Sequence, residues 1–246
     1  MRHENNIFGI KIQAIIFIAV ERQSLKILYE DNHLIAINKT SGTLVQGDET
    51  GDEPLSEKVK AYIKTKYKKE GAVFLGVVHR LDRPVSGVVV FARTSKALER
   101  MNALFKNRET QKTYWAIVDK KPAKDTAALI HWLRKNEQTN KVTCFEKETA
   151  DALKSELSYK ILKHKKGLFL LEVSPITGRS HQIRVQLAAI GCPIVGDLKY
   201  GSSTALGKSI CLHARQLKFL HPIKKEEITL GAEVPSGEFW NIFDQQ

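Results

Sequence analysis

Cysteine is scarce in this chain of 246 residues. Its three cysteines, Cys144, Cys192 and Cys211, are odd in number and far apart. This excludes a disulfide framework and favours a reducing compartment, so we expect a cytoplasmic protein. Cys192 and Cys211, with the neighbouring His213, invite a zinc site. No CxxC or HxxxH pair supports that idea, and buried structural cysteines are the better expectation.

Long hydrophobic runs are also missing. The one candidate, from Ile7 to Val20, is interrupted by Lys11 and is shorter than the about 20 residues that a membrane-spanning helix needs. Its end also lacks a good signal-peptide cleavage site. We therefore expect no membrane partner. The run is interpreted either as an extra strand or, preferably, as a loosely ordered leader over residues 1–25, with one folded domain over residues 26–246.

Several catalytic signatures are absent as well. There is no Gly-rich phosphate loop of the Walker or dinucleotide type, since the stretch from Gly201 to Gly207 lacks the required Gly-Lys-Ser/Thr ending. There is no G-x-S-x-G elbow, so a serine hydrolase would depend on Ser86 alone. Internal repeats and low-complexity tracts are also missing.

What the chain does have is positive charge. It contains 39 Lys and Arg against 27 Asp and Glu, a formal net charge of +12. A hydrophobic content of 42% excludes a disordered chain. Such a basic folded protein tends to bind a polyanion, more often nucleic acid than a membrane surface. The alternative is a Lys-rich surface with no particular partner.

Hydrophobic patterning predicts many strands and few helices, which indicates an α+β fold with a mixed, mostly antiparallel bent sheet. The predicted strands are 27–29, 34–37, 88–92, 112–118, 127–133, 142–145, 157–162, 168–173, 211–219 and 228–232. Helices are predicted to begin near Pro54, to be capped by Thr94 or Ser95, and to run from Ser180 to Ile190, where Gly191 is expected as a left-handed cap. The first helix carries many lysines, which indicates a solvated face or, less favoured, a surface along a phosphate backbone.

One loop carries a carboxylate between two arginines. The segment from His79 to Gly87 places Asp82 near Arg80 and Arg83, immediately before an apolar strand. The simplest interpretation is a structural ion pair. The alternative is that the arginines keep Asp82 ionised and available as a nucleophile or base.

Two further clusters are informative only in combination. In the segment from Thr177 to Arg184, His181 and Arg184 are three residues apart at a helix start, a position suited to an anion or carboxylate partner. Taken alone, this segment is better interpreted as a capped helix with a solvated arginine. Tyr114, two residues after Lys112, opens a predicted strand and would ordinarily be a packing residue.

Together these clusters resemble the RluA-type family of pseudouridine synthases. The match comprises the HRLD motif ending at Asp82, the Lys-x-Tyr strand ending at Tyr114, and the G-R-S-H-Q-I-R motif ending at Arg184. The resemblance covers about residues 27–240. It implies the pseudouridine synthase fold, isomerisation of uridine to pseudouridine in RNA, and no cofactor or metal.

The resemblance also implies residue roles. Asp82 would be the essential carboxylate, Arg184 its charge partner, and Tyr114 the ring that stacks on the base and assists removal of the C5 proton. Substrate contacts are expected from a basic set: Arg80, His79, Lys112, Arg179 and Lys39. The expected partner is a stem-loop of ribosomal or transfer RNA, bound by a monomer. The alternative function is a non-catalytic RNA-binding or ribosome-assembly factor on the same fold.

Overall fold

The computed structural model describes residues 25–244, so nearly all of the predicted leader lies outside the described residues. The strands are β1 (Lys26–Glu30), β2 (Leu34–Lys39), β3 (Gly76–Val77), β4 (Ser86–Ala92), β5 (Gln111–Val118), β6 (Thr126–Asn136), β7 (Lys141–Phe145), β8 (Leu153–Lys165), β9 (Leu168–Pro175), β10 (Leu212–Leu220) and β11 (Glu227–Gly231). The helices are α1 (Leu55–Lys66), α2 (Ser95–Lys106), α3 (Gln182–Ala189) and α4 (Glu238–Asp244), with one 3-10 turn at Leu198–Tyr200.

One sheet runs through the molecule in the order β1-β2-β4-β10-β5-β9-β8-β6-β7, with β11 added to β10 and β3 to β4. The β4–β10 pair is parallel, whereas the other strand pairs of the described chain are antiparallel. The predicted α+β class with a mixed, mostly antiparallel sheet is confirmed.

The centre of the sheet is covered on both faces. Every residue of β4 is buried, which explains its uninterrupted apolar sequence. Val89 and Phe91 belong to the core cluster that includes Val59 of α1, while Val88 and Val90 belong to the cluster that includes Met101 of α2. Because β4 is packed on both faces, it is a rigid attachment point for the loop that precedes it.

Two of the predicted helix-capping residues are confirmed. Thr94 caps α2 by accepting a hydrogen bond from the backbone N–H of Ala97 at 3.2 Å, and Gly191 follows α3 with φ 78°. The third helix begins at Gln182 and not at Ser180, because His181 adopts the left-handed conformation with φ 51°. The C-terminal segment that contains Phe239, Trp240 and Phe243 forms the helix α4.

The three cysteines are free, and Cys192 and Cys211 are buried as core residues. Across residues 25–244, no three His, Cys, Asp or Glu side chains are grouped as metal ligands would be. Nor does any helix in that range have the length and apolar character to cross a membrane.

Candidate active site

The loop from Val78 to Val85 joins β3 to β4 and carries Asp82 at its outer turn. Leu81 and Val85 are buried in the core on either side of it, with 7% and 2% of their surface exposed. The backbone N–H of Val85 donates to the Asp82 carbonyl at 3.0 Å, which closes the turn. This packing fixes the backbone of Asp82, while its side chain stays 28% exposed.

Lys39, at the end of β2, connects the loop that follows β2 to the turn that carries Asp82. The Lys39 ammonium is buried and donates to the carbonyls of Thr40, Thr43 and Arg83 at 3.1, 2.7 and 3.1 Å. Burial lowers the pKa of Lys39, and the nearby Asp82 carboxylate opposes that shift. These three hydrogen bonds hold the loop together, and contact between Lys39 and RNA stays a prediction.

The charge partner of Asp82 comes from a distant part of the chain. Arg184 of α3 donates from Nη1 to Asp82 Oδ2 at 3.0 Å, the pairing that the resemblance implies. Arg80 is exposed, and Arg83 donates to the Gly42 carbonyl and pairs with Asp52. The charge that directly contacts the Asp82 carboxylate is thus Arg184, and not the two arginines that flank it in sequence.

Arg184 is itself held by a second carboxylate. Its Nε and Nη2 donate to the two oxygens of the buried Asp197 at 2.7 and 2.9 Å, and its guanidinium lies 5.1 Å from the centre of the Tyr200 ring. Hydrogen bonds and the charges of Asp197 and Asp82 raise the pKa of Arg184 against the opposing effect of burial. A permanently charged arginine therefore faces Asp82 at fixed geometry.

The start of α3 is fixed by Gln182. Its side-chain oxygen accepts from the Thr177 hydroxyl at 2.7 Å and from the Arg179 N–H at 3.0 Å, and its amide donates to the Glu156 carbonyl at 3.0 Å. These bonds tie the loop before α3 to β8. Within this loop, His181 Nε2 lies 3.8 Å from Asp82 Oδ2.

Tyr114 reaches the same site from β5, where it is paired with Ala214 of β10 and Val173 of β9. Burial, and secondly the charge of Asp82, raise the pKa of Tyr114. Its phenol is therefore protonated at neutral pH. The structure brings Asp82, Tyr114 and Arg184 to one place, as the three motifs predict.

These groups line a cleft of about 350 Å³, within the size range of ligand pockets. The other predicted substrate-binding residues on its wall are Arg80, His79, Lys112 and Arg179. Arg80 and Arg179 are exposed, and Lys112 is partly buried. No residue of the Lys-rich helix α1 lines this cleft, and two of its lysines, Lys60 and Lys66, pair with nearby glutamates.

His79 supports the loop from inside. Its ring stacks on Phe105 at 4.8 Å, and its Nε2 accepts from the Val90 N–H at 3.0 Å. Burial lowers its pKa to about 4, so the ring is neutral at physiological pH. Through these contacts, His79 joins the loop to β4. Contact between His79 and the substrate stays a prediction.

Sequence reasoning missed two participants, Asp197 and Tyr200, and it offered His181 only as part of a position suited to an anion or carboxylate partner. Asp197 is a single carboxylate in a Gly-containing turn, which carries no signal of its own in the sequence. Ser86 is 1% exposed and bonds His213 Nδ1 at 2.8 Å, so it is a structural residue and not an exposed nucleophile.

Comparison with known proteins agrees with this geometry. Residues 33–189 match the family model described as RNA pseudouridylate synthase. The human RNA pseudouridylate synthase domain containing 4 superposes with a TM-score of 0.73 at 25% identity, covering 92% of this chain and 94% of that one. The chain belongs to the RNA pseudouridylate synthase family, whose members are isomerases.

Two named relatives are similar to this chain over most of its length. Ribosomal large subunit pseudouridine synthase C of Rickettsia felis is 35% identical over 85% of this chain and 67% of its own length. The protein of the same name from Vibrio parahaemolyticus is 34% identical over 85% of this chain and 66% of its own length. The resemblance to the RluA-type synthases is thus confirmed.

Proposed function

We propose that this chain converts uridine to pseudouridine in large-subunit ribosomal RNA, with Asp82 as the essential carboxylate. The observation that carries the proposal is the 3.0 Å pair between Arg184 and Asp82 at the wall of an open cleft. The relatives are named ribosomal large subunit pseudouridine synthase C, which favours ribosomal over transfer RNA.

The substrate uridine has to leave its stack to reach Asp82. Extrusion costs a few kcal/mol, and stacking on an aromatic ring returns about 1–3 kcal/mol. Tyr114 lines the cleft and is suited to this role. Because its phenol is protonated at neutral pH, stacking is better supported than proton abstraction in the free enzyme.

In the reaction the bond between ribose C1′ and uracil N1 breaks, and its electron pair leaves with the base. Asp82 assists either by attacking C1′ or by taking the C2′ proton, and both routes need the ionised carboxylate that Arg184 stabilises. The retained uracil then turns and its C5 bonds to C1′, while the Asp82–C1′ bond breaks on the first route or the C2′ proton returns on the second. C5 then loses its proton to solvent and N1 takes one up, so that the product is an isomer of the substrate. The cleft keeps the freed uracil near C1′, so proximity favours this recombination.

Arg80, Lys112 and Arg179 are proposed to bind the RNA around the extruded nucleotide. The first and last are exposed at the cleft and Lys112 is partly buried beside them. Cationic side chains at a cleft rim are suited to the phosphates that flank such a nucleotide. Each functional group named here comes from one chain, which supports action as a monomer, and a ribosomal substrate is in keeping with the cytoplasm.

Release of tritium from RNA labelled at uridine C5 tests the proposal. The wild type should release tritium from large-subunit ribosomal RNA, and Asp82→Asn should abolish release while the fold stays intact. Asp151→Asn is a matched control, since Asp151 is exposed in a left-handed turn that asparagine tolerates. If Asp82→Asn also supports normal ribosome assembly and the wild type releases no tritium, the chain is a non-catalytic RNA-binding factor.

A further inference from the structure

We propose that His181 contacts the reacting uridine, donating a hydrogen bond from Nε2 to the uracil O2 as the glycosidic bond breaks. This inference rests on the proposed function and adds a catalytic residue to it. His181 is 9% exposed, and its ring edge lies beside the catalytic carboxylate at the cleft wall.

A chain of hydrogen bonds favours the His181 tautomer with its proton on Nε2. The backbone N–H of Val142 donates to Tyr200 Oη at 3.0 Å, and Tyr200 Oη lies 2.7 Å from His181 Nδ1. Since the phenol oxygen already accepts from Val142, its own proton is available for Nδ1. A neutral imidazole that accepts at Nδ1 carries its proton on Nε2.

That N–H has no acceptor within hydrogen-bond distance among the described residues. The nearest carboxylate oxygen, Asp82 Oδ2, is 3.8 Å away and is already bonded by Arg184 at 3.0 Å. A donor at this distance from the carboxylate borders the space where C1′ and its base must lie. Negative charge develops on N1 and O2 of the departing uracil, so a donor placed there stabilises the transition state.

The backbone at His181 is held in an uncommon conformation. Its φ of 51° lies in the left-handed region, where residues other than glycine are uncommon, although histidine, like asparagine and aspartate, is found there more often than most. The ring is held edge-on to Tyr200, with ring centres 5.7 Å apart. The surrounding charges come from Asp82, Arg184, Asp197 and Lys199, and burial lowers the histidine pKa, so the ring is neutral at physiological pH.

Two variants separate a catalytic role from a structural one. His181→Gly relieves the backbone strain and removes the donor, while His181→Asn suits the left-handed backbone and keeps an N–H group. We expect His181→Gly to fold and bind RNA with little change in KM, yet to lower the single-turnover rate by on the order of 100-fold. His181→Asn should recover part of that loss. His164→Gln, at an exposed histidine away from the cleft, is the control.

Substrate substitution identifies the atom contacted. RNA with 2-thiouridine at the target has a poorer acceptor at C2, so His181→Gly should slow this substrate much less than it slows uridine. Histidine ¹⁵N NMR of the free protein should show a protonated Nε2, a pattern that Tyr200→Phe should weaken. Equal slowing of both substrates, or full activity of His181→Gly, overturns the inference but leaves the proposed function standing. If the wild type itself fails on every RNA, the proposed function fails first.

Discussion

Arg184 joins two carboxylates that are 115 residues apart in the sequence, because Asp82 and Asp197 occupy different nitrogens of one guanidinium. Asp197 is 1% exposed and takes the bidentate pair, while Asp82 takes the remaining Nη1 and faces the cleft. The buried carboxylate therefore orients the arginine, and the arginine in turn orients the accessible carboxylate.

The first prediction concerns Asp197→Asn. Asparagine replaces one acceptor oxygen with a donor, so it leaves the buried guanidinium partly uncompensated. Breaking a buried ion pair costs about 3–5 kcal/mol, and we expect a loss of this order in the free energy of unfolding, measured by urea denaturation. The tritium-release rate should fall at least 10-fold even at temperatures where the variant is folded.

A matched control for this variant is Glu227→Gln, which removes a surface pair with Lys218 at 2.9 Å. Exposed pairs contribute about 0–1 kcal/mol, so the change should be small. If Asp197→Asn has an equally small effect on both stability and rate, Arg184 does not depend on Asp197 for its orientation.

The second prediction concerns Gly87→Ala. Gly87 pairs with Ala214 in the parallel contact between β4 and β10 and has φ 114°. A Cβ at this position would lie 2.6 Å from the Ala214 backbone nitrogen, where no flexible group can yield. We expect at least about 3 kcal/mol of destabilisation, from the strained φ and the clash together.

Gly167→Ala is the comparison for Gly87→Ala. Gly167 also has a positive φ, 75°, but nothing lies within 4 Å of its added Cβ, so only the backbone strain of about 1–2 kcal/mol remains. Thermal unfolding of both variants measures the difference. Equal losses would show that the close approach of β10 to Gly87 tolerates a methyl group.

Sequence patterns predicted most of the fold because local chemistry decides it. The fully apolar β4, the Thr94 cap and Gly191 after α3 are each determined by near neighbours. The start of α3 was misplaced because the left-handed conformation of His181 is maintained by Tyr200 and the loop ties, which no local pattern specifies.

The site was predictable only as a list of residues. The resemblance supplied Asp82, Tyr114 and Arg184, but it did not distinguish an ammonium that faces RNA from one that is buried. In the sequence, Lys39 cannot be distinguished from any other basic residue. Only the three carbonyl groups that accept its hydrogen bonds reveal its structural role. Such long-range contacts depend on how the whole sheet is assembled.

The third prediction is a loss of stability in acid through His213. This ring has no exposed surface, accepts from Ser86 at Nδ1 and donates to the Ala232 carbonyl. Burial lowers its pKa to about 4. As pH falls from about 6.5 to 4, the unfolded chain gains a proton that the folded chain does not, so stability present at neutral pH is lost progressively.

This one histidine lowers the free energy of unfolding by about 3 kcal/mol over that pH range. Urea denaturation at pH 7.5, 6 and 4.5 measures the change. His213→Gln should be less stable at neutral pH but should show a flatter pH dependence, whereas the exposed His164→Gln should keep the wild-type slope. An unchanged slope in His213→Gln would assign the acid sensitivity to other groups, such as His79, whose pKa is also lowered to about 4.

The last prediction concerns salt and RNA affinity. If Arg179 and Lys112 each neutralise one phosphate beside the cleft, then log K for RNA falls with log salt concentration less steeply when either is removed. Arg179→Gln should reduce the slope by about 0.7–0.9, and the double variant by about twice that amount. Binding is measured by filter retention or fluorescence anisotropy at several salt concentrations. Lys60→Gln on α1 is the control, because Lys60 lies outside the cleft and pairs with Glu57 at 2.8 Å. A slope that changes with Lys60→Gln but not with Arg179→Gln would move the RNA path from the cleft rim to the lysine-rich helix.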